Sequence, residues 1–136
     1  MIPRLSLFVA CFCVLLMIGC GGSGGFTTVK GTITYAGKPL SNGYVTLIPE
    51  EAGETVSGQI GSDGSFTLTT FRPDDGVKPG KYKVRIASYL SEAKMDDPTS
   101  GKPAIPEKYF DAAKSGLVVT IENKSPQTLE LNLPKE

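Results

Sequence analysis

The residues best suited to chemistry in this sequence are two pairs of adjacent aspartates, Asp74-Asp75 and Asp96-Asp97. Oxygen ligands in loops can hold Ca²⁺, and two carboxylates about 5–10 Å apart can hydrolyse glycosides. Neither pair has the spaced Asp-x-Asp-x-Asp-Gly pattern of a calcium loop, and aspartates before Gly or Pro are typical of turns. The chain has no histidine, which excludes His-based acid-base catalysis, Ser-His-Asp and Cys-His nucleophiles and His metal sites. We therefore expect no enzyme activity, no catalytic residue, no cofactor and no metal site.

A cysteine that follows an apolar run carries a more specific signal. Arg4 precedes a nearly unbroken apolar stretch from Leu5 to Ile18, and Gly19-Cys20 comes next. The stretch is shorter than the about 20 residues that a membrane-spanning helix needs. It resembles the signal peptide and lipobox of bacterial lipoproteins, which implies cleavage before Cys20 and acylation of its sulfur. A plain secretory signal, or an uncleaved anchor with an incidental cysteine, is the alternative interpretation.

The lipoprotein interpretation divides the chain into three parts. Residues 1–19 are the predicted signal peptide, 20–26 the lipidated Cys20 with a Gly/Ser tether, and 27–136 the folded domain. Cys11 and Cys13 would leave with the signal, so the mature chain could form no internal disulfide. The predicted location is the bacterial outer membrane or cell surface, or the periplasmic face, with the membrane reached through the lipid on Cys20. Lys+Arg and Asp+Glu number 14 each, so the chain lacks the basic character of a nucleic-acid-binding protein.

Alternation of apolar and polar residues predicts the elements that would position any site. Turn signals at Asp63-Gly64 and Pro79-Gly80 each precede a run with the two-residue period of a half-buried strand. The same pattern recurs along the domain, and we predict seven strands and no helix. The predicted strands cover residues 29–35, 44–48, 55–60, 65–69, 81–86, 117–121 and 129–133. Short strands with Gly- and Pro-rich turns indicate an all-β, two-sheet Greek-key sandwich. The side chains predicted to point inward include Val45, Leu47, Phe66, Leu68, Tyr82, Val84, Ile86, Val119 and Leu131.

The long loop over residues 89–115 is the main departure from a simple sandwich, because loops of this length are uncommon without a role. Three aromatic residues, Tyr89, Tyr109 and Phe110, flank it. Such rings can stack on sugars or anchor a protein partner. The simpler hypothesis is that they pin the loop over the sandwich.

Three groups of motifs occur in a fixed order along the domain. They are Val29-Lys30-Gly31-Thr32-Ile33 with Gly37-Lys38-Pro39-Leu40, then Asp63-Gly64-Ser65-Phe66 with Lys78-Pro79-Gly80-Lys81-Tyr82, then Ile105-Pro106-Glu107-Lys108-Tyr109. Their order and spacing resemble the carboxypeptidase regulatory-like, or transthyretin-like (prealbumin-like), β-sandwich over about residues 27–133. More closely, the domain resembles small lipoproteins of this kind in planctomycete bacteria. The resemblance implies a seven-stranded Greek-key sandwich with no catalytic residues and no settled function.

The sequence therefore predicts a non-catalytic, membrane-anchored lipoprotein. Its expected role is structural or adhesive, through contact with an envelope protein. The alternative function is a carbohydrate-binding module that uses the aromatic residues of loop 89–115, namely Tyr89, Tyr109 and Phe110. Because fold does not determine function, these hypotheses have to be judged on the site.

Overall fold

The computed structural model describes residues 25–90, 94–97 and 101–136, and within these ranges the chain forms two β-sheets in a sandwich-like arrangement. The strands are β1 Val29–Tyr35, β2 Lys38–Pro39, β3 Tyr44–Pro49, β4 Val56–Gln59, β5 Ser65–Thr67, β6 Gly80–Ala87, β7 Val118–Ile121 and β8 Gln127–Leu133. A 3₁₀ helix covers Glu107–Phe110. Within the described ranges, no helix has the length and apolar character that crossing a membrane would require.

The first sheet is built around β1. Strand β8 runs parallel to it over its whole length, from the pair Val29 and Gln127 to the pair Tyr35 and Leu133. Strands β5 and β2 pair antiparallel with residues 30–32 and 34–35 of β1. Because a strand has only two edges, β5 and β2 must lie end to end on the edge opposite β8.

The second sheet is antiparallel throughout, in the order β4-β3-β6-β7. An isolated bridge joins its edge strand β4 to the chain that follows β5. In this bridge Ser57 N–H donates to the Thr69 carbonyl at 3.1 Å, and Thr69 N–H donates to the Ser57 carbonyl at 2.9 Å. This bridge therefore links the edges of the two sheets at one residue pair.

The core lies between the two sheets, and the predicted inward faces are confirmed. Val45, Leu47, Phe66, Leu68, Tyr82, Val84, Ile86 and Leu131 are all buried, whereas Val119 is half-buried against the core. Gly31 on β1 has a steric reason to lack a side chain, because a Cβ there would lie 2.4 Å from Cζ of Phe66. The Phe66 ring thus occupies the space that a side chain at position 31 would fill.

The described residues form eight strands, one more than the seven predicted. The additional strand, Lys38–Pro39, lies within what the sequence suggested was a loop. It folds back on β1 through a two-residue turn in which Ala36 and Gly37 have φ values of 52° and 80°. A hairpin turn with two positive φ angles usually carries Asn-Gly or Asp-Gly. Because this turn carries Ala-Gly instead, the sequence did not indicate a hairpin here. The third predicted strand, residues 55–60, is shorter and covers Val56–Gln59.

Alanine substitution at two neighbouring positions of β6 tests the strand phase. Val84 is fully buried between the sheets, and Lys83 is exposed on the opposite face. We expect Val84→Ala to lower the free energy of unfolding by about 1–3 kcal/mol, from transfer and cavity terms. Lys83→Ala should stay within about 0.5 kcal/mol of the wild type. Urea denaturation of a chain beginning at Gly25 measures both, and the reverse order would contradict the inward face assigned here.

Candidate functional site

The sandwich has two ends of different character, which we call the N-terminal pole and the loop pole. Strands β1 and β8 both run from the N-terminal pole, at Val29 and Gln127, to the loop pole, at Tyr35 and Leu133. Seven residues at about 3.3 Å per residue separate the poles by roughly 20 Å. Strand β6 runs the same way and delivers Ser88 and Tyr89 to the loop pole.

Backbone hydrogen bonds close the base of loop 89–115 at the loop pole. Leu90 N–H donates to the Lys102 carbonyl at 2.7 Å, and Ala104 N–H donates to the Ser88 carbonyl at 2.9 Å. Asn42 ties this base to the turn before β3. Its Nδ2 donates to the Tyr89 carbonyl at 2.9 Å, and its Oδ1 accepts from the Ser88 hydroxyl at 3.0 Å.

The C-terminal part of the loop packs into the core and includes the 3₁₀ helix. Ile105 and Tyr109 are buried, and the 3₁₀ helix packs on β6. At the end of the loop, the buried Ser115 hydroxyl donates to the Val84 carbonyl at 2.6 Å. These contacts support the hypothesis that aromatic residues pin the loop over the sandwich.

The three aromatic residues singled out in the sequence have different environments. Tyr109 is only 2% exposed, so its ring is not available to a ligand at the surface. Tyr89 is 42% exposed and packs edge-on against the half-buried Phe110, with ring centroids 5.2 Å apart. Tyr109 and Phe110 are adjacent in a 3₁₀ helix, so their side chains leave the backbone in different directions. The structure thus brings two of the three predicted residues together and assigns the third to the core.

A cleft of ≈ 560 Å³ opens beside Tyr89 at the loop pole. The residues around it that bear on binding are Tyr35, Lys38, Leu40, Asn42, Leu90 and Lys135. Leu90 is 67% exposed at its rim. Among the described residues that line this cleft, none is acidic, so the two lysines give it a positive character. Sequence reasoning missed these residues because they come from three distant segments that only the fold brings together.

The adjacent aspartates Asp74 and Asp75 have structural roles in a turn at the N-terminal pole. The carboxylate of Asp75 accepts backbone N–H bonds from Thr70 at 2.8 Å, Phe71 at 2.7 Å and Arg72 at 2.8 Å. The Thr70 bond, followed by those of Arg72 and Phe71, holds the pKa of Asp75 below its ordinary value. Asp74 has a φ of 61°, as expected for an aspartate in a turn. Over the described ranges, no group of three or more Cys, Asp or Glu side chains could hold a metal ion.

Two sequence-based assignments fall outside this description. Cys20 and the predicted signal peptide lie outside the described residues, as do residues 91–93 and 98–100 at the tip of loop 89–115. Lys94 to Asp97 are described in that tip and are exposed.

The fold and the site define an all-β sandwich domain with a preformed cleft at one pole. No protein-family model matches the sequence, and no curated protein matches it. Among solved structures the chain is similar to a DUF3823 family protein from Parabacteroides merdae, with a TM-score of 0.40 and 20% sequence identity. The match covers 79% of this chain and 44% of that one, so the chain spans less than half of that protein's length.

Proposed function

We propose that this protein is a non-catalytic lipoprotein whose β-sandwich binds a protein partner at the bacterial cell envelope. The observation that carries the proposal is the position of the loop-pole cleft. It opens at the end of the sandwich opposite Phe26, and Phe26 follows Cys20 by only six residues. A domain held by lipid on Cys20 therefore presents the cleft away from the membrane. The lipid places the protein in the outer membrane or at the cell surface, with the periplasmic face as the alternative.

We further assign the domain to the carboxypeptidase regulatory-like, or transthyretin-like, sandwiches found in small planctomycete lipoproteins. The ordered motifs from Val29 to Tyr109 support this assignment. Greek-key connectivity is supported by the way the chain alternates between sheets. Strands β1 and β2 lie in the first sheet, β3 and β4 in the second, β5 in the first, β6 and β7 in the second, and β8 in the first.

The chemistry of the cleft favours a partner segment that is both apolar and acidic. Tyr89 and Leu90 offer exposed apolar surface, and aromatic residues are the commonest anchors of protein interfaces. Lys38 and Lys135 supply amines that would complement carboxylates on the partner. The hydrogen bonds of Asn42 fix the cleft before binding, which reduces the entropy lost in ordering it.

Two features support a role without catalysis. The whole chain lacks histidine, and its only three cysteines precede residue 21. The loop-pole cleft contains no described carboxylate that could act as an acid or a base. Its aromatic, apolar and lysine side chains are suited to contact with a partner.

Carbohydrate binding through the same surface is the second candidate function. The observation that favours it is the half-exposed ring of Tyr89, which Phe110 supports from the side at 5.2 Å. A ring held in this way could stack on the apolar face of a sugar. Tyr109 would take no part, because its ring is buried.

Site-specific photocrosslinking in intact cells tests the proposal. A photoreactive amino acid replaces Leu90 at the cleft rim or, as the matched control, Val118 on β7, which is 48% exposed. We expect one dominant protein adduct from position 90, identified by mass spectrometry, and little from position 118. Reversing both charges with Lys38→Glu and Lys135→Glu should weaken the adduct at position 90 several-fold.

Three results would count against a protein partner. Equal adducts from positions 90 and 118 would mean that the cleft has no special role. An adduct that persists unchanged after the double charge reversal would exclude the proposed charge complementarity. If position 90 yields glycan adducts, and Tyr89→Ala abolishes binding of the purified protein to a glycan array, the carbohydrate hypothesis replaces the first.

A further inference from the structure

Two exposed phenylalanines form a single aromatic surface at the N-terminal pole. Phe26 is 45% exposed and Phe71 is 67% exposed, and their ring centroids lie 6.5 Å apart in an edge-on arrangement. The two residues are 45 positions apart in the sequence, so the fold is what brings them together. Exposing two large aromatic side chains side by side is unfavourable in water, which points to a partner surface.

Both rings stand on backbone that is fixed by hydrogen bonds. Thr27, directly after Phe26, is buried. Its N–H donates to the Val77 carbonyl at 2.7 Å, and its carbonyl accepts from the Val77 N–H at 2.8 Å. The Thr27 hydroxyl also donates to the Glu122 carbonyl at 2.9 Å. Phe71 is held by its own N–H bond to the Asp75 carboxylate at 2.7 Å. The rings are therefore presented outward by an ordered scaffold.

We propose that this aromatic surface rests on the lipid bilayer that holds the anchor, with Phe26 and Phe71 inserted at its interface. The inference depends on the proposed lipidation of Cys20. Because Phe26 follows Cys20 by six residues, the covalent chain keeps the Cα of Phe26 within about 22 Å of the Cα of Cys20. A link this short gives the bilayer a high effective concentration at this pole, so modest apolar contacts suffice for docking.

The charges around the rings suit a bilayer interface without requiring anionic lipid. Arg72 and Lys78 are exposed beside Phe71 and Phe26 and can reach headgroup phosphates. Asp74 and the acidic loop from Glu50 to Glu54 offset them at the same pole. We therefore expect docking to be driven by apolar burial and to persist in neutral phosphatidylcholine at high salt.

Because the chain contains no tryptophan, a single introduced tryptophan can report on contact with lipid at a chosen position. The full chain is produced with its own signal in a bacterium, purified from membranes and reconstituted into phosphatidylcholine vesicles that contain brominated lipid. Phe71→Trp places the only tryptophan at the N-terminal pole. Leu90→Trp places it at the loop pole, at a site with the same 67% exposure. Vesicle flotation and the mass of the N-terminal peptide report separately on the anchor.

We expect several-fold stronger quenching of Phe71→Trp than of Leu90→Trp by brominated lipid. Adding Phe26→Ser to the Phe71→Trp protein should reduce the quenching, whereas adding Val118→Ser should not. Protein that floats with the vesicles but shows equal quenching at the two poles would overturn the docking inference and leave the anchor intact. Protein that carries no lipid and stays in solution would instead overturn the proposed anchor, and the docking with it.

Discussion

Tyr109→Ala is expected to lower the free energy of unfolding by about 3–5 kcal/mol, the range for removing a fully buried aromatic side chain. Tyr109 is only 2% exposed and belongs to the main core, although it comes from a loop. Its removal would leave a cavity between the 3₁₀ helix and β6, which the two sheets can only partly close. It would also release the segment from Ile105 to Ser115 that covers this side of the sandwich.

The neighbouring aromatic residues provide the controls for this prediction. Tyr89→Ala should cost about 0.5–1.5 kcal/mol, because Tyr89 is 42% exposed and loses mainly its ring contact with Phe110. Tyr109→Phe should lie within about 1.5 kcal/mol of the wild type, since it keeps the shape of the ring. Urea denaturation measures all three variants in a chain that begins at Gly25. If Tyr109→Ala leaves the stability unchanged but abolishes binding to cell-wall or glycan fractions, Tyr109 belongs to the binding surface and not to the core.

Cys20→Ser is expected to abolish acylation and maturation altogether. The predicted maturation needs the sulfur of Cys20 as the acceptor for lipid, and a serine hydroxyl does not replace it. The precursor should keep its signal, and the mature lipidated form should be missing. Each acyl chain would contribute about 0.8 kcal/mol per buried CH₂, so the variant should lose the membrane affinity that the predicted lipid supplies.

Metabolic labelling with a fatty-acid analogue and mass spectrometry of the N-terminal peptide measure this effect. Cys11→Ser is the matched control, because Cys11 lies within the predicted signal and should leave with it. Labelling and membrane retention should be normal in that variant. A wild-type protein whose signal is removed but whose N-terminus carries no lipid would contradict the prediction. The segment would then be an ordinary secretory signal.

Strand phase and core composition could be predicted from the sequence in this protein. Side chains of a strand alternate between its two faces, so the pattern from Lys81 to Ile86 already assigns Tyr82, Val84 and Ile86 to the interior. The structure buries all three. The predicted turn at Asp63-Gly64 is also present, with Gly64 at a φ of 82°. These features depend on residues within a few positions of each other, and local sequence is sufficient to determine them.

The pairing of the strands and the surfaces at the two poles were decided only by the tertiary structure. The parallel alignment of β1 with β8 joins Val29 to Gln127, and no local pattern encodes a contact across that separation. The same holds for the ring pair Phe26 and Phe71 and for the cleft that joins Lys38 to Lys135. The sequence identified the aromatic residues of the long loop but could not separate exposed Tyr89 from buried Tyr109. Burial depends on which distant elements pack against a residue, whereas the alternation of a strand is a property of its own backbone.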